Sequence, residues 1–369
     1  MKKLKLVLNI CVFCLVIGAL SAEFVLMPDG KISVAERRPL KQFDEVKNAE
    51  NPFEEIEGYY LDQFPFRDFF RALKAFLYND VFFKMDNNKI YQYGSSVIKI
   101  EDKLDEAQAE YAADNINKVI DRLLDDTNNV YLSIIPDKHY YAAQPSGRPS
   151  LDYEKLIGLV TDKVQGAEYI DITQLLELSD YYKTDSHWSQ DKIVGVAEAL
   201  VSEMNAGATV TPEEGFEVKT LSPFYGVYFG QAAISLEPDE IKYLTSSGMS
   251  ESVMTVINDM GKPETYPVYT TDMFTNVDPY DVFCAGAKPF ITIQNPNASS
   301  DRELIVFRDS FGSSIAPLLS NAYSKVTLID LRYMVPNFAA SMADFEGADV
   351  LFLYSTGLLN SGRILKDFM

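Results

Sequence analysis

The sequence predicts an α/β protein in which a largely parallel β-sheet is covered by helices. An apolar run at 130–135 is followed by helical apolar spacing at 153–164 and by a second strand near 167–172. The same alternation returns further on, with apolar runs at 303–307, 325–331 and 349–354. Strands that alternate with helices are typical of a parallel sheet, because parallel strands need a long crossover connection.

The N-terminus predicts export from the cytoplasm. Three lysines within Met1–Lys5 precede the apolar stretch Leu6–Ala22, as in the first two regions of an export signal. The small residues of Ala19-Leu20-Ser21 fit a cleavage site, while an apolar run of about 17 residues is also long enough to span a bilayer. Residues 1–27 are therefore either a signal peptide or a membrane anchor. Positive charge before the run places the rest of the chain outside the cytoplasm, secreted or anchored on the outer face.

Composition excludes nucleic acid as a partner and indicates a bacterial cell envelope. The chain has 54 acidic against 33 basic residues and a net charge of −21, which repels nucleic acid. Cys11 and Cys14 lie in the N-terminal apolar run, so only Cys284 remains in the exported part. No disulfide framework is available, which favours a bacterial surface over a eukaryotic secretory pathway.

After the N-terminal segment, the sequence predicts a linker at 28–52 and one domain at 53–369. The linker is polar, mixed in charge and without sustained periodicity. The domain begins with a helical lead-in rich in Phe and Leu, which is followed by a hairpin at Lys89–Lys99. A stretch at about 210–298, rich in Thr, Tyr, Pro and Gly, predicts a β-rich insertion.

The segment Asp185-Ser186-His187-Trp188 suggests a catalytic base. It contains one of only two histidines in the chain, two residues after a carboxylate that can turn back to hold the imidazole. Ser310 follows the apolar run 303–307 and opens a predicted helix. A serine hydroxyl needs a base, and the base needs a group that fixes its tautomer, so Ser310, His187 and Asp185 form the predicted nucleophile, base and orienting acid.

Further residues near these segments are candidates for oxyanion or substrate contacts. A serine that ends a strand and opens a helix lies where backbone N–H groups point free, so those of Ser310, Phe311 and Gly312 are the predicted oxyanion donors. The complete set of candidates for oxyanion or substrate contact is Gly312, Phe311, Arg308, Lys138, His139, Trp188 and Tyr225.

His139 is the alternative base, because it follows the strand at 130–135 at the edge where open α/β sheets place their sites. A metal site built from both histidines and carboxylates is a further alternative, but no spacing typical of metal ligands supports it. The sequence predicts neither a metal nor a cofactor.

Several motifs together resemble the DHHW proteins and the alginate O-acetyltransferases of the SGNH hydrolase superfamily. The principal two are Thr184-Asp185-Ser186-His187-Trp188 and Asp309-Ser310-Phe311-Gly312. Ser186 stands where the family name DHHW has the first of its two histidines. Arg308 stands where a glycine commonly precedes the Asp-Ser pair. The resemblance covers most of residues 53–356. Its other motifs are Asp62-Gln63-Phe64-Pro65-Phe66-Arg67, Pro136-Asp137-Lys138 and Phe224-Tyr225-Gly226.

The resemblance implies a flavodoxin-like three-layer α/β/α fold with Ser310, His187 and Asp185 as its catalytic triad. It implies O-acetyl transfer to an exported or cell-surface polysaccharide through an acetyl-serine intermediate, with a membrane-bound O-acyltransferase as the source of acetyl groups. Removal of acetyl groups by an esterase is the close alternative, because both reactions share the acyl-enzyme. A non-catalytic surface protein that keeps the fold to bind polysaccharide is the alternative from another class.

Overall fold

The structure, a computed structural model, describes residues 2–82, 84, 86–205, 207–234, 236–257 and 261–368. The α-helices are α1 Lys2–Leu26, α2 Phe43–Asn48, α3 Pro52–Asp62, α4 Arg67–Phe76, α5 Glu106–Leu123, α6 Lys138–Ser146, α7 Tyr153–Lys163, α8 Val194–Met204, α9 Val227–Ala232, α10 Gly312–Leu319, α11 Pro336–Ala340 and α12 Thr356–Leu359. The strands are β1 Ile32–Ser33, β2 Arg38–Pro39, β3 Ile90–Tyr93, β4 Ser96–Lys99, β5 Asn129–Ile135, β6 Glu168–Tyr169, β7 Glu217–Phe224, β8 Asp239–Thr245, β9 Val253–Ile257, β10 Pro263–Tyr266, β11 Phe290–Gln294, β12 Glu303–Arg308, β13 Lys325–Ile329 and β14 Asp349–Ser355.

The chain divides into two compact units. The larger unit, residues 89–228 and 237–369, contains an eight-stranded sheet in the order β10-β9-β11-β13-β12-β14-β5-β6. The five strands from β13 to β6 are parallel, and β11, β9 and β10 continue the sheet in antiparallel pairing. The predicted α/β class with a largely parallel sheet is confirmed.

The sheet is buried on both faces, which explains why its parallel strands are continuous apolar runs. On one face Leu304 and Val306 of β12 pack in a core with the buried side of α8 and with α10. On the other face Ile305 and Phe307 pack in a core with residues of α5 and α7. Helices therefore cover both sides of the sheet, and the implied three-layer arrangement is confirmed.

The stretch predicted as a β-rich insertion is rich in strands, but it does not form a separate body. β7 and β8 form a hairpin outside the main sheet. β9, β10 and β11 instead join the main sheet beside β13, where Met254, Val256, Ile291 and Ile293 are buried in its core. Strand pairing partners are set by long-range contacts, so the local pattern predicts these strands without indicating the sheet to which they add.

The smaller unit, residues 1–88 and 229–236, contains the segment predicted as a linker. Residues 28–52 form the short pair β1–β2 and helix α2 instead of an irregular spacer. The ordering contacts come from Asp62, whose carboxylate accepts hydrogen bonds from both Nη atoms of Arg38, at 2.8 and 2.6 Å, and from the Lys41 N–H. These partners lie more than 20 residues away in sequence, so the local pattern does not show them. In the same unit, α1 is exposed and is long and apolar enough to cross a membrane.

Candidate functional site

The candidate site lies at the carboxyl edge of the parallel strands, at the point where the strand order of the sheet changes direction. From β12 the chain adds β13 on one side and then crosses to add β14 on the other side. Ligands of open α/β sheets bind at such switch points, outside the carboxyl ends of the strands. Ser310 lies two residues after the end of β12, in the turn that leads into α10.

Asp185, His187 and Ser310 form one continuous series of hydrogen bonds. The Asp185 carboxylate lies 2.7 Å from His187 Nδ1, and His187 Nε2 lies 2.8 Å from Ser310 Oγ. Because a carboxylate only accepts, Nδ1 carries the proton and Nε2 is left to accept from the serine hydroxyl. Asp185 is fully buried and the His187 side chain is 12% exposed. The three residues singled out from the sequence are therefore brought together in the geometry of a serine nucleophile and its base.

A tight loop between Tyr181 and Trp188 holds the carboxylate and the imidazole in place. Asp185 Oδ1 also accepts from the backbone N–H of His187 at 3.1 Å, so the carboxylate folds back over its own segment. Its Oδ2 accepts from the Val227 N–H at 2.9 Å. Trp188 pairs with Tyr181 in an isolated β-bridge that closes the loop. The Asp-X-His spacing thus positions the imidazole with local contacts.

Asp239, which the sequence does not single out, fixes the residues just before Asp185. Its carboxylate accepts from the N–H groups of Lys183 and Thr184, at 2.9 and 2.7 Å, and from the Thr184 hydroxyl at 2.6 Å. The same hydroxyl accepts from the Gly226 N–H at 2.8 Å. An Asp at the start of a β-strand carries no local sign of this role, because its partners are 55 residues away.

Lys138 supports the same loop from beneath and is not placed to touch substrate. Its side chain is 2% exposed, and its Nζ lies 2.5–3.1 Å from four backbone carbonyls, those of Val97, Tyr182, Lys183 and Asp185. Burial lowers the pKa of the Lys138 ammonium to about 7, while the carboxylates of Asp185 and Asp239 oppose the fall. The expectation of a substrate contact is corrected, because Nζ is buried and its N–H groups are directed to main-chain carbonyls.

Replacing Lys138 by methionine is expected to lower the free energy of unfolding by about 3 kcal/mol, because buried carbonyls would lose their donor. The measurement is urea unfolding followed by circular dichroism. Lys155→Met is the matched control, because Lys155 pairs with Glu106 at the surface, where such pairs contribute at most about 1 kcal/mol. Equal unfolding midpoints for the two variants would contradict the role given to Lys138.

Asp309 holds the turn around Ser310. Its contacts occupy backbone N–H groups that were expected from the sequence to bind the oxyanion. The Phe311 N–H donates to Asp309 Oδ1 at 3.0 Å, and the Gly312 N–H donates to the Asp309 carbonyl at 3.1 Å. Asp309 Oδ2 accepts from the Ser355 N–H, which ties the turn to the end of β14. Two of the three expected donors are thus engaged inside the turn. Within the described part of the chain, the Ser310 N–H has no hydrogen-bond acceptor.

Arg308 and Trp188 are also structural, which corrects their assignment as oxyanion or substrate contacts. Arg308 is fully buried, donates to the carbonyls of Asp309 and Lys288, and lies 3.5 Å from the carboxylate of Asp330. Trp188 is fully buried, and its Nε1 donates to Ser314 Oγ at 2.8 Å. Residue type indicates what a side chain can bind, but burial decides whether a substrate can reach it.

His139 is excluded as the base by its own contacts. It is fully buried, with Nδ1 3.1 Å from the Tyr91 hydroxyl and Nε2 2.8 Å from the Pro149 carbonyl. Both ring nitrogens are therefore used in packing the segment after β5.

Cys284 is not available as a nucleophile, and no cluster of metal ligands lies in the described regions. Burial raises the pKa of the Cys284 thiol to about 12, so it stays protonated at neutral pH. No group of three or more His, Cys, Asp or Glu side chains within residues 2–82, 84, 86–205, 207–234, 236–257 and 261–368 is placed to hold a metal ion.

Tyr280 is a further neighbour of the imidazole that the sequence does not indicate. Its ring stacks on that of His187, with centroids 4.0 Å apart and planes 10° from parallel. Its hydroxyl donates to Ser314 Oγ at 2.9 Å, and burial raises the pKa of this phenol well above its usual value. A neutral aromatic ring therefore fixes the plane of the imidazole. Tyr225, which the sequence predicts as a candidate substrate contact, precedes Gly226 and is 43% exposed.

Serine, imidazole and carboxylate thus lie in series at the carboxyl edge of the sheet of a three-layer α/β fold. The family model of the DHHW protein matches residues 167–329, a range that includes all three residues. The resemblance to DHHW proteins predicted from the motifs is thereby confirmed. A comparison with curated proteins finds no match.

Solved structures with similar folds include two different proteins with TM-scores above 0.5. A DHHW family protein from Eubacterium siraeum DSM 15702 has a TM-score of 0.57 and 19% identity, covering 74% of this chain and 92% of its own. Bacillus cereus PatB1 has a TM-score of 0.60 and 18% identity, covering 74% and 97%. The O-acetyltransferase domain of Pseudomonas putida AlgJ has a lower TM-score of 0.43 and 12% identity, covering 73% and 92%. At these identities the first two establish the common fold.

Proposed function

We propose that the protein is an extracytoplasmic O-acetyltransferase that works through an acetyl group on Ser310. The observation that carries this proposal is the series of two hydrogen bonds, 2.7 and 2.8 Å long, from Asp185 through His187 to the Ser310 hydroxyl. This arrangement can remove the hydroxyl proton as the oxygen attacks, which is the requirement for nucleophilic catalysis by serine.

In the first half of the reaction, Ser310 Oγ attacks the carbonyl carbon of an acetyl donor and His187 Nε2 takes the hydroxyl proton. The tetrahedral intermediate collapses when His187 returns that proton to the leaving group, which leaves acetyl-Ser310. Asp185 stabilises the imidazolium formed between the two steps. The Ser310 N–H is the donor in the turn that is left for the oxyanion.

In the second half, His187 takes the proton of an acceptor hydroxyl, whose oxygen attacks the acetyl carbonyl. The intermediate collapses when His187 gives that proton to Ser310 Oγ, which releases the serine and the acetylated acceptor. The acceptor in this proposal is a sugar hydroxyl of an exported or cell-surface polysaccharide. The motifs shared with alginate O-acetyltransferases and the N-terminal export segment support this acceptor. Tyr225, which precedes Gly226 in the chain and is 43% exposed, is the proposed contact for the sugar. A membrane-bound O-acyltransferase is the proposed source of acetyl groups.

An esterase would use the same intermediate, with water in place of the sugar hydroxyl, and a purely polysaccharide-binding protein would not need the intermediate. The distance of 2.8 Å between His187 Nε2 and Ser310 Oγ favours an enzyme over a binding protein. Whether the protein transfers or hydrolyses depends on whether a sugar hydroxyl or water attacks acetyl-Ser310 faster.

The test is incubation of the full chain with an activated acetyl ester and a mixture of neutral and acidic oligosaccharides, followed by mass spectrometry of the sugars. Transfer predicts oligosaccharides heavier by one acetyl group, and Ser310→Ala should abolish them. Release of acetate without acetylated sugar would replace transfer by hydrolysis. Saturable sugar binding without any acetyl release would leave only the binding function.

A further inference from the structure

The smaller unit carries an exposed apolar surface, and the catalytic proposal does not say what covers it. Helix α4 and its flanks expose an aromatic face consisting of Phe64, Phe66, Phe69, Phe70, Leu73 and Phe76, with exposed fractions from 38% to 62%. Amphipathic helices of globular proteins normally turn such a face to the core. In α4 the single buried residue is Ala75.

The polar side of α4 carries three basic residues, of which Arg67 and Arg71 are only 15% and 19% exposed and are paired with a carboxylate within the unit. Arg67, Arg71 and Lys74 follow one another at intervals of four and three residues, so they share one side of the helix. Arg67 and Arg71 pair with Glu36, which fixes their positions within the unit. An apolar face with Phe and Leu beside a Lys/Arg face is the pattern of an interfacial helix whose apolar side enters the boundary between headgroups and acyl chains.

The aromatic face belongs to the same unit as the apolar helix α1, whose C-terminal end packs against aromatic residues of α3. Phe24, near the C-terminal end of α1, stacks on Tyr60 of α3 with ring centroids 5.1 Å apart, and meets Tyr59 edge-on at 6.0 Å. Phe64, two residues beyond α3, contacts Phe70, and Phe70 contacts Phe69, at 5.7 and 5.4 Å. If α1 crosses the membrane, the C-terminal end of α3 lies near its surface, where Tyr and other aromatic rings are enriched.

We propose that the aromatic face docks on the lipid bilayer beside α1, so that α4 lies in the outer membrane interface and α1 is retained as an anchor. The occupant is lipid and not another protein, because the face follows soon after α3 in the chain, and the last turn of α3 packs on the end of a helix long enough to span the bilayer. The inference goes beyond the acetyl-transfer proposal and does not depend on it.

The test uses the full chain in lipid nanodiscs with bromine atoms placed high on the acyl chains, where they quench tryptophan emission. Phe69→Trp places the probe on the aromatic face, and Phe338→Trp places it on α11 in the other unit, where Phe338 is 50% exposed. The native Trp188 is fully buried and gives a constant background. Both substituted positions are exposed, so neither variant is expected to disturb folding.

The expected result is loss of the added emission of Phe69→Trp in brominated discs relative to unbrominated ones, with no loss for Phe338→Trp. Equal emission of Phe69→Trp in both kinds of disc would overturn the proposal and would leave the face to a protein partner. Release into the medium of a chain that begins after Ala22 would overturn it too, because the face would then have no anchor beside it.

Discussion

Replacing Ser310 by alanine is expected to lower the turnover of a chromogenic acetyl ester by a factor of about 10⁴ or more, because the nucleophile of the proposed reaction is lost. His187→Ala should cause a loss of similar size, since Nε2 is the group 2.8 Å from the serine oxygen. The effects of substituting residues that act as one unit do not add, so the rate of the double variant should be no lower than that of either single variant. The measurement is kcat/KM for acetyl-ester cleavage.

The control for this series is Ser341→Ala, which removes an exposed hydroxyl that donates to the Phe338 carbonyl. This variant should retain the wild-type rate. Wild-type turnover in Ser310→Ala would show that the acyl group never rests on this residue. If His187→Ala cleaved the ester at the wild-type rate while Ser310→Ala did not cleave it, the base would be another group.

The sequence is sufficient to find the three residues of the site because their chemistry is local. Asp185 reaches His187 within its own loop, and Ser310 follows an apolar strand that could be recognised by composition. Scarcity of histidine reduces the choice of base to two residues, and the contacts of His139 remove one of them. The sequence alone leaves both histidines open, and the choice between them needs the tertiary packing, because Tyr91 lies 48 residues from His139.

The roles of the neighbouring residues could not be predicted, because they depend on burial and on distant partners. Lys138 and Arg308 have side chains suited to binding an anion, yet the fold encloses both and fills their surroundings with carbonyls and a carboxylate. Asp239 and Tyr280 have no local signal, although one fixes Thr184 and the other stacks on His187. The same holds for the sheet, because β9 to β11 are recognisable as strands, but the local sequence does not show that β11 pairs with β13 and joins them to the main sheet.

Replacing Gly226 by alanine is expected to lower kcat by about 100-fold while Asp185, His187 and Ser310 all remain present. A Cβ at this position would lie 2.2 Å from the Thr184 carbonyl oxygen and 2.4 Å from the Asp185 nitrogen, both of which are main-chain atoms. The segment that carries Asp185 would therefore have to move by about 1 Å, and a misplacement of this size can cost about two orders of magnitude in rate. Overpacking should also lower the free energy of unfolding by about 2 kcal/mol.

Gly195→Ala is the matched control, because Gly195 lies in α8 and a Cβ there would meet nothing within 4 Å. Its rate should equal that of the wild type, and its stability should be unchanged or higher by up to about 1 kcal/mol, since alanine favours a helix over glycine. The two variants add the same methyl group, so a difference in rate reports the space beside Thr184 and Asp185. If Gly226→Ala matched the control in both rate and stability, the close approach of Gly226 to this segment would have no part in positioning the carboxylate.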